Sequence, residues 1–226
     1  MADYKYKRVT LFAGHYGSGK TNIAVNFALK MRKEIEKIKI ADLDIVNPYF
    51  RTKDSAKELN DAGIELISPS FANTNVDLPA LPAEIYSLVQ QKDFYAVMDI
   101  GGDDRGAYAL GRYRDSILEE NNYEMIFVAN FYRPLTRTVD EAIEVMREIE
   151  SASGIPFTAI INNSNIGADT TAQTVLETVG KAEELSRKTN LPVIFTSATA
   201  DVIKNINLNN LLQLNLQEKY FDIKEI

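Results

Sequence analysis

Residues 14–21, GHYGSGKT, constrain the fold of this chain more than any other segment, because they match the pattern G-x-x-x-x-G-K-[ST]. The apolar run Val9–Ala13 precedes them, and an amphipathic helix is predicted over 20–35. Glycines allow such a loop to turn its amide groups toward an anion, and the positive end of the following helix strengthens that field. The sequence therefore predicts a strand, a phosphate-binding loop and a helix in direct succession; the alternative is a plain glycine-rich turn.

The predicted phosphate loop has distinct roles for its residue types. The Lys20 ammonium is expected to reach the β- and γ-phosphates of a nucleotide, and the Thr21 hydroxyl is expected to bind Mg²⁺. All eight residues are predicted to contact the nucleotide: Gly14, His15, Tyr16, Gly17, Ser18, Gly19, Lys20 and Thr21.

Short apolar runs alternate with helical patterns along the chain, which predicts a doubly wound, mostly parallel α/β sheet with helices on both faces. We expect one nucleotide-binding domain over 1–226. The predicted strands are Val9–Ala13, Ile38–Leu43, Ile64–Ser68, Tyr95–Ile100, Met125–Asn130, Phe157–Asn162 and Val193–Ser197. Helices are predicted over 20–35, 53–62, 82–92, 106–120, 136–152 and 171–189.

Composition excludes several classes of site and partner. The chain has no cysteine and one histidine, which excludes disulfides, iron–sulfur clusters and thiolate zinc sites. Its net charge of −7 argues against nucleic acid as a partner. No apolar stretch reaches the length of a membrane span, so we expect no membrane association and a cytoplasmic location. The tail from Asn205 is expected to close the domain as a helix or strand. The alternative, an amphipathic helix that binds a membrane, is disfavoured because the tail's balance of charges is acidic.

Aspartates end two of the predicted strands, where the ligands of a parallel sheet are bound. Asp42 and Asp44 end the second strand, and Asp99 ends the fourth. With Thr21 they form the predicted Mg²⁺ site, although Asp44 and Asp99 could instead belong to simple turns. Gly102 follows Asp99 and is expected to present its backbone N–H to the γ-phosphate.

The sixth predicted strand ends in asparagines where a nucleotide base would lie. Asn162 and Asn163 are predicted to contact the nucleotide, and Asn165 stands where a guanine-binding protein would carry a carboxylate. An amide cannot accept from both guanine donors, so the pattern favours adenine; the alternative is that these asparagines only form turns.

Together these motifs resemble the MinD/ParA-like P-loop ATPases (the CobQ/CobB/MinD/ParA nucleotide-binding domain), a group that also contains arsenite-transport and nitrogenase-iron-protein ATPases. The resemblance implies a P-loop NTPase three-layer sandwich that binds ATP or ADP with Mg²⁺ in a nucleotide-dependent homodimer and acts on a protein partner that remains unknown. It also implies catalytic roles for Lys20, for Asp44 as the residue that orients water, and for Asp99 as the Walker B acid, with Asn162 facing adenine.

His15 departs from the family pattern, which has a second lysine at this position that reaches the nucleotide of the partner subunit. An imidazole supplies a positive charge only when it is protonated. The resemblance therefore leaves the rate of ATP hydrolysis open.

Two other functions remain open at this point. The loop is also similar to those of nucleoside kinases, in which arginines such as Arg105, Arg112 and Arg114 would clamp the transferred phosphoryl group. Alternatively, the chain is a nucleotide-binding regulator in which His15 has abolished turnover.

Overall fold

The computed structural model describes residues 4–43, 52–67, 83–102 and 104–216. The strands are β1 Val9–Ala13, β2 Ile38–Leu43, β3 Glu65–Ile67, β4 Tyr95–Ile100, β5 Tyr123–Ala129, β6 Ala159–Asn162, β7 Val193–Thr199 and β8 Leu211–Leu214. The helices are α1 Lys20–Met31, α2 Ala56–Asp61, α3 Ala83–Gln90, α4 Asp104–Gly111, α5 Arg114–Glu120, α6 Val139–Ser153, α7 Ala172–Thr189 and α8 Ala200–Ile203. Short 3₁₀ turns occupy Thr52–Ser55, Pro134–Thr136 and Gly167–Asp169.

In the described ranges, eight strands form one sheet in the order β3-β2-β4-β1-β5-β6-β7-β8. Every adjacent pair in this sheet is parallel. All eight strands therefore end at the same edge, which we call the carboxyl edge. The central position of β1 places the loop that follows it near the middle of this edge.

Helices cover both faces of the sheet, as the apolar strands predict. On one face Phe12, Val97 and Ile126 pack with Ile23 and Phe27 of α1. The opposite face packs against residues of α3 to α7, in a second cluster that includes Leu11, Met98 and Phe127 from the strands. The fold is thus a three-layer α/β sandwich.

Two helices of the second face begin with side-chain caps that explain where they start. Thr138 accepts a hydrogen bond from the Glu141 N–H, and the Glu141 carboxylate accepts one from the Thr138 N–H. Thr171 and Thr174 form the corresponding pair at the start of α7. Because the caps satisfy N–H groups that lack helical partners, they fix the points at which α6 and α7 leave the carboxyl edge.

The prediction of one helix over 106–120 was wrong, because α4 and α5 are separate helices. Tyr113 lies between them with its side chain 1% exposed, and its ring packs edge-on against that of Tyr86 with the centroids 4.7 Å apart. The break places this bulky side chain in the core, and Gly111 is a poor helix former at the same point.

The tail from Asn205 contributes an eighth strand, β8, within its described part. Asn26 of α1 fixes its end: the Asn26 amide donates to the Asn215 carbonyl at 3.0 Å, and its oxygen accepts from the Asn215 N–H at 2.8 Å. Within the described ranges, no helix has the length and hydropathy needed to cross a membrane.

Candidate functional site

The loop between β1 and α1 has backbone geometry that requires glycine. Gly17 and Gly19 have φ angles of 74° and 88°, a region that residues with a Cβ rarely adopt. At Gly19 space is also limiting, because a Cβ would lie 2.3 Å from the Asn163 amide nitrogen. The glycines of the predicted motif are therefore required by this loop's shape.

Lys20 and Thr21 begin α1 and are both largely buried, with 4% and 6% of their surfaces exposed. The Lys20 Nζ donates to the His15 carbonyl at 3.3 Å, which holds the ammonium across the loop. A buried ammonium and hydroxyl at a helix start are groups that bind a phosphate and its metal ion.

A cavity of about 540 Å³ opens beside the loop and extends along the carboxyl edge toward β8. Its volume is typical of small-molecule sites. Among the loop residues, Tyr16, Gly17, Gly19, Lys20 and Thr21 line it, whereas Gly14, His15 and Ser18 do not. The remainder of the wall consists of Asn22, Arg133, Asn163, Asn165, Gly167, Ala168, Thr170, Ser197, Ala198, Thr199, Leu214 and Leu216.

The predicted carboxylates lie side by side at the carboxyl edge. Asp42 of β2 pairs in register with Asp99 of β4, and the two residues are 3% and 0% exposed. Asp99 Oδ2 accepts a hydrogen bond from the buried Thr52 hydroxyl at 3.2 Å, a contact that the sequence did not reveal. Asp44, the third predicted carboxylate, lies outside the described residues.

Gly102 lies directly against the phosphate loop. A Cβ at this position would stand 2.8 Å from both Lys20 Nζ and the Tyr16 backbone nitrogen. The segment after Asp99 therefore approaches the loop as closely as its backbone permits, and only glycine fits there without displacing the loop.

His15 lies at the mouth of the loop in a half-buried position. Burial and the nearby Lys20 ammonium lower the pKa of its imidazole, and the Glu148 carboxylate opposes them in part. The lowered pKa favours the neutral imidazole over its cationic form.

The three asparagines at the end of β6 and just beyond it differ in their position relative to the cavity. Asn162 is fully buried; its amide donates to Thr178 Oγ1 at 3.1 Å, and its oxygen accepts from Ser164 Oγ at 2.7 Å. Asn165 bonds the Asn163 carbonyl and the Gly167 N–H. The structure therefore places Asn162 inside the fold and not facing the cavity. The Asn165 amide forms hydrogen bonds within its own loop.

Asn163 connects three segments at the wall of the cavity. Its Nδ2 donates to the Ser18 carbonyl at 2.7 Å, and its Oδ1 accepts from Ser197 Oγ at 2.7 Å. The phosphate loop, β6 and β7 are thus joined through one side chain. The close contact with Gly19 follows from this bond.

Arg133, which sequence reasoning missed, lines the cavity on the β5 side of the loop. Its Nε donates to the Gly17 carbonyl at 2.8 Å. Arginine after a strand is too common to mark a site by itself; only the juxtaposition with the loop identifies it.

Two of the three arginines considered as kinase clamps, Arg112 and Arg114, are not at this site. Arg114 Nε donates to the Gly154 carbonyl at 2.9 Å, and Gly154 follows the end of α6 that lies away from the carboxyl edge. Arg112 lies two residues before Arg114, between α4 and α5, and so belongs to the same opposite end of the sheet. The side chain of Arg105, the third of these arginines, lies outside the described residues.

Solved structures with the same fold include several FtsY proteins. FtsY from Mycoplasma mycoides is 17% identical, with a TM-score of 0.54 over 86% of this chain and 61% of that one. Cell division protein ftsY from Thermotoga maritima is 15% identical, with a TM-score of 0.55 over 88% and 63%. Chloroplast FtsY from Physcomitrella patens is 17% identical, with a TM-score of 0.51 over 87% and 60%.

These similarities establish the fold of the chain, that of a P-loop NTPase three-layer sandwich. The chain spans about six tenths of the length of each of these FtsY proteins. No family model matches the chain, and no curated protein matches it.

Proposed function

We propose that this chain is a Mg²⁺-dependent ATP-binding protein, similar to the MinD/ParA-like ATPases, that hydrolyses ATP and acts as a molecular switch. One observation carries the proposal: the buried Lys20 ammonium and Thr21 hydroxyl line a cavity of about 540 Å³ at the carboxyl edge. ADP is the expected product and second ligand of the same site.

The residues beside the loop fit a magnesium ion. Thr21, Asp42 and Asp99 offer only oxygen ligands, and in the described ranges no group of three histidine, cysteine or carboxylate side chains forms a separate metal site. Magnesium prefers one or two protein oxygens together with phosphate and water, and these three residues can supply the protein oxygens. When bound, the ion would neutralise charge on the phosphates; Asp44 remains a proposed fourth contributor and the proposed water-orienting residue.

The wall of the cavity supports adenine over guanine. None of the described residues that line it is aspartate or glutamate, so guanine's N1–H and 2-amino donors meet no carboxylate there. The support does not come from the Asn165 amide, which is engaged within its own loop.

We expect calorimetry to give a lower dissociation constant for Mg²⁺–ATP than for Mg²⁺–GTP, because no carboxylate of the described wall can accept from both the N1–H and the 2-amino group of guanine. CTP serves as the control for binding through phosphates and ribose alone. GTP binding equal to or tighter than ATP would show that the assignment of adenine is wrong.

Hydrolysis is proposed in preference to phosphoryl transfer to a small molecule because two of the three arginines considered as clamps lie far from the loop. Arg112 and Arg114 are at the opposite end of the sheet from the phosphate loop, so they cannot clamp a transferred group. ADP production that rises only when an acceptor is added would favour the kinase. Absence of any turnover would favour a binding regulator.

The proposed homodimer would bury large apolar side chains that this chain exposes. Tyr16, in the phosphate loop and in the cavity wall, is 54% exposed. Leu135 after β5 and Tyr108 of α4 are 56% and 66% exposed. A second copy of this chain is the proposed occupant, and the identity of any further protein partner is open.

His15→Lys is expected to raise ATP turnover and ATP-dependent dimerisation together, since lysine supplies the permanent cation that His15 lacks at pH 7. The lowered pKa of His15 gives the sign of the pH effect: the wild type gains cationic imidazole, and hence activity, as the pH falls. Sedimentation and ADP release measured between about pH 5.5 and pH 8, the range in which histidine side chains titrate, test this pH effect.

His15→Asn is the matched neutral control and should remove the pH effect. Unchanged turnover and sedimentation in the lysine variant would refute a role for this position toward a partner's nucleotide.

A further inference from the structure

Arg133 is a cation of the cavity wall that the proposed function has not used. Lys20 is the other lysine or arginine among the described lining residues. Arg133 is partly exposed, and in the described part of the chain its side chain forms no ion pair and donates one hydrogen bond, from Nε to the Gly17 carbonyl. Both terminal nitrogens are therefore available to a ligand.

The bond to Gly17 fixes the direction of the guanidinium. Because the group is planar, a fixed Nε sets the plane in which the two terminal nitrogens lie. The Arg133 side chain lies over Gly17 at ordinary contact distance: a Cβ there would be 3.4 Å from Arg133 Nε and 3.6 Å from its Cδ. The loop thus holds an arginine in advance of binding, which reduces the conformational entropy that binding costs.

The sheet order tells which part of a nucleotide Arg133 would meet. Asp99 and Gly102 follow β4 on one side of β1, whereas Arg133 follows β5 on the other side. The cavity continues from Arg133 past the ends of β6, β7 and β8. A nucleotide with its terminal phosphate near Asp99 and its base over β6 to β8 passes Arg133 between these two ends.

We propose that Arg133 is a nucleotide-binding residue that bridges the Gly17 carbonyl and the α-phosphate of the bound nucleotide. This inference rests on the proposed function and assigns a part of that site. It gives the chain a second phosphate-binding cation, supplied from within the same subunit and at the opposite end of the triphosphate from the γ-phosphate.

The test is calorimetry of ADP and ATP, each with Mg²⁺, on wild type, Arg133→Gln and Arg137→Gln. Arg137 is the control because it is exposed and four residues further along the same segment. We expect Arg133→Gln to weaken ADP and ATP equally, by about tenfold to 100-fold, the range for a hydrogen bond to a charged group. At saturating ATP its kcat should stay near that of wild type, since the contact is remote from the transferred phosphate.

Arg133→Lys separates charge from geometry. Lysine keeps the positive charge but lacks the planar guanidinium, which donates to the Gly17 carbonyl from one nitrogen and to the phosphate from the other two. We expect it to bind ADP more weakly than wild type; affinity equal to wild type would overturn the bridging role. Unchanged ADP affinity in Arg133→Gln, or a loss confined to ATP with a fall in kcat, would also overturn the assignment to the α-phosphate. Wild type that binds neither nucleotide would instead overturn the proposed function and this inference with it.

Discussion

Lys20→Ala is expected to weaken Mg²⁺–ATP binding by at least about 100-fold, the scale for removing one partner of a buried charge pair. The ammonium lies across the phosphate loop with 4% of the residue exposed, so its replacement leaves the phosphates without their central positive charge. The side chain faces the cavity and not an apolar cluster, and the fold should persist.

The measurement is calorimetry with ATP, together with circular dichroism and thermal unfolding of the same samples. Lys33→Ala is the matched control, because Lys33 is exposed just beyond α1 and should bind as wild type does. A Lys20→Ala variant that folds and still binds ATP within twofold to threefold would mean that the cavity binds something else.

Asp99→Asn is expected to lower the turnover of ATP by about 100-fold or more and to remove most of its Mg²⁺ dependence. The reason is that Asp99 is buried, stands in register with Asp42 of the neighbouring strand and is the acid proposed to hold the metal ion. Electrostatic groups at a phosphoryl-transfer site carry effects of this size. Asparagine keeps the shape and can still contact the Thr52 hydroxyl, so the fold should survive.

Steady-state ADP release, measured as a function of Mg²⁺ concentration, gives the turnover and the metal dependence of Asp99→Asn. The control variant is Asp93→Asn. Asp93 precedes the same strand but is exposed, with its carboxylate 4.0 Å from Lys37 Nζ. If Asp99→Asn keeps the kcat and metal dependence of wild type, Asp99 has a purely structural role.

The parts of the site that sequence predicted are those set by local pattern. GHYGSGKT lies between a buried strand and a helix, and it contains Gly17 and Gly19, whose backbone is left-handed. The position of Asp42 and Asp99 at one edge of the sheet also followed, because the carboxyl ends of parallel strands meet there. Neither inference needed knowledge of how distant segments pack.

The parts that sequence did not predict depend on contacts between distant residues. Thr52 reaches Asp99, Asn163 reaches Ser18, and Arg133 reaches Gly17, across separations of 47, 145 and 116 residues. The separation of α4 from α5 has a similar cause, since it follows from the burial of Tyr113 against Tyr86. Local propensity contains no information on such pairs.

The most direct test of the proposed function is equilibrium dialysis of the purified chain against ATP, with and without Mg²⁺. We predict saturable binding of one ATP per chain that strengthens when Mg²⁺ is present and is lost in Lys20→Ala. Absence of saturable binding by folded wild type in the presence of Mg²⁺ would contradict the proposal that the cavity beside Lys20 and Thr21 is an ATP site.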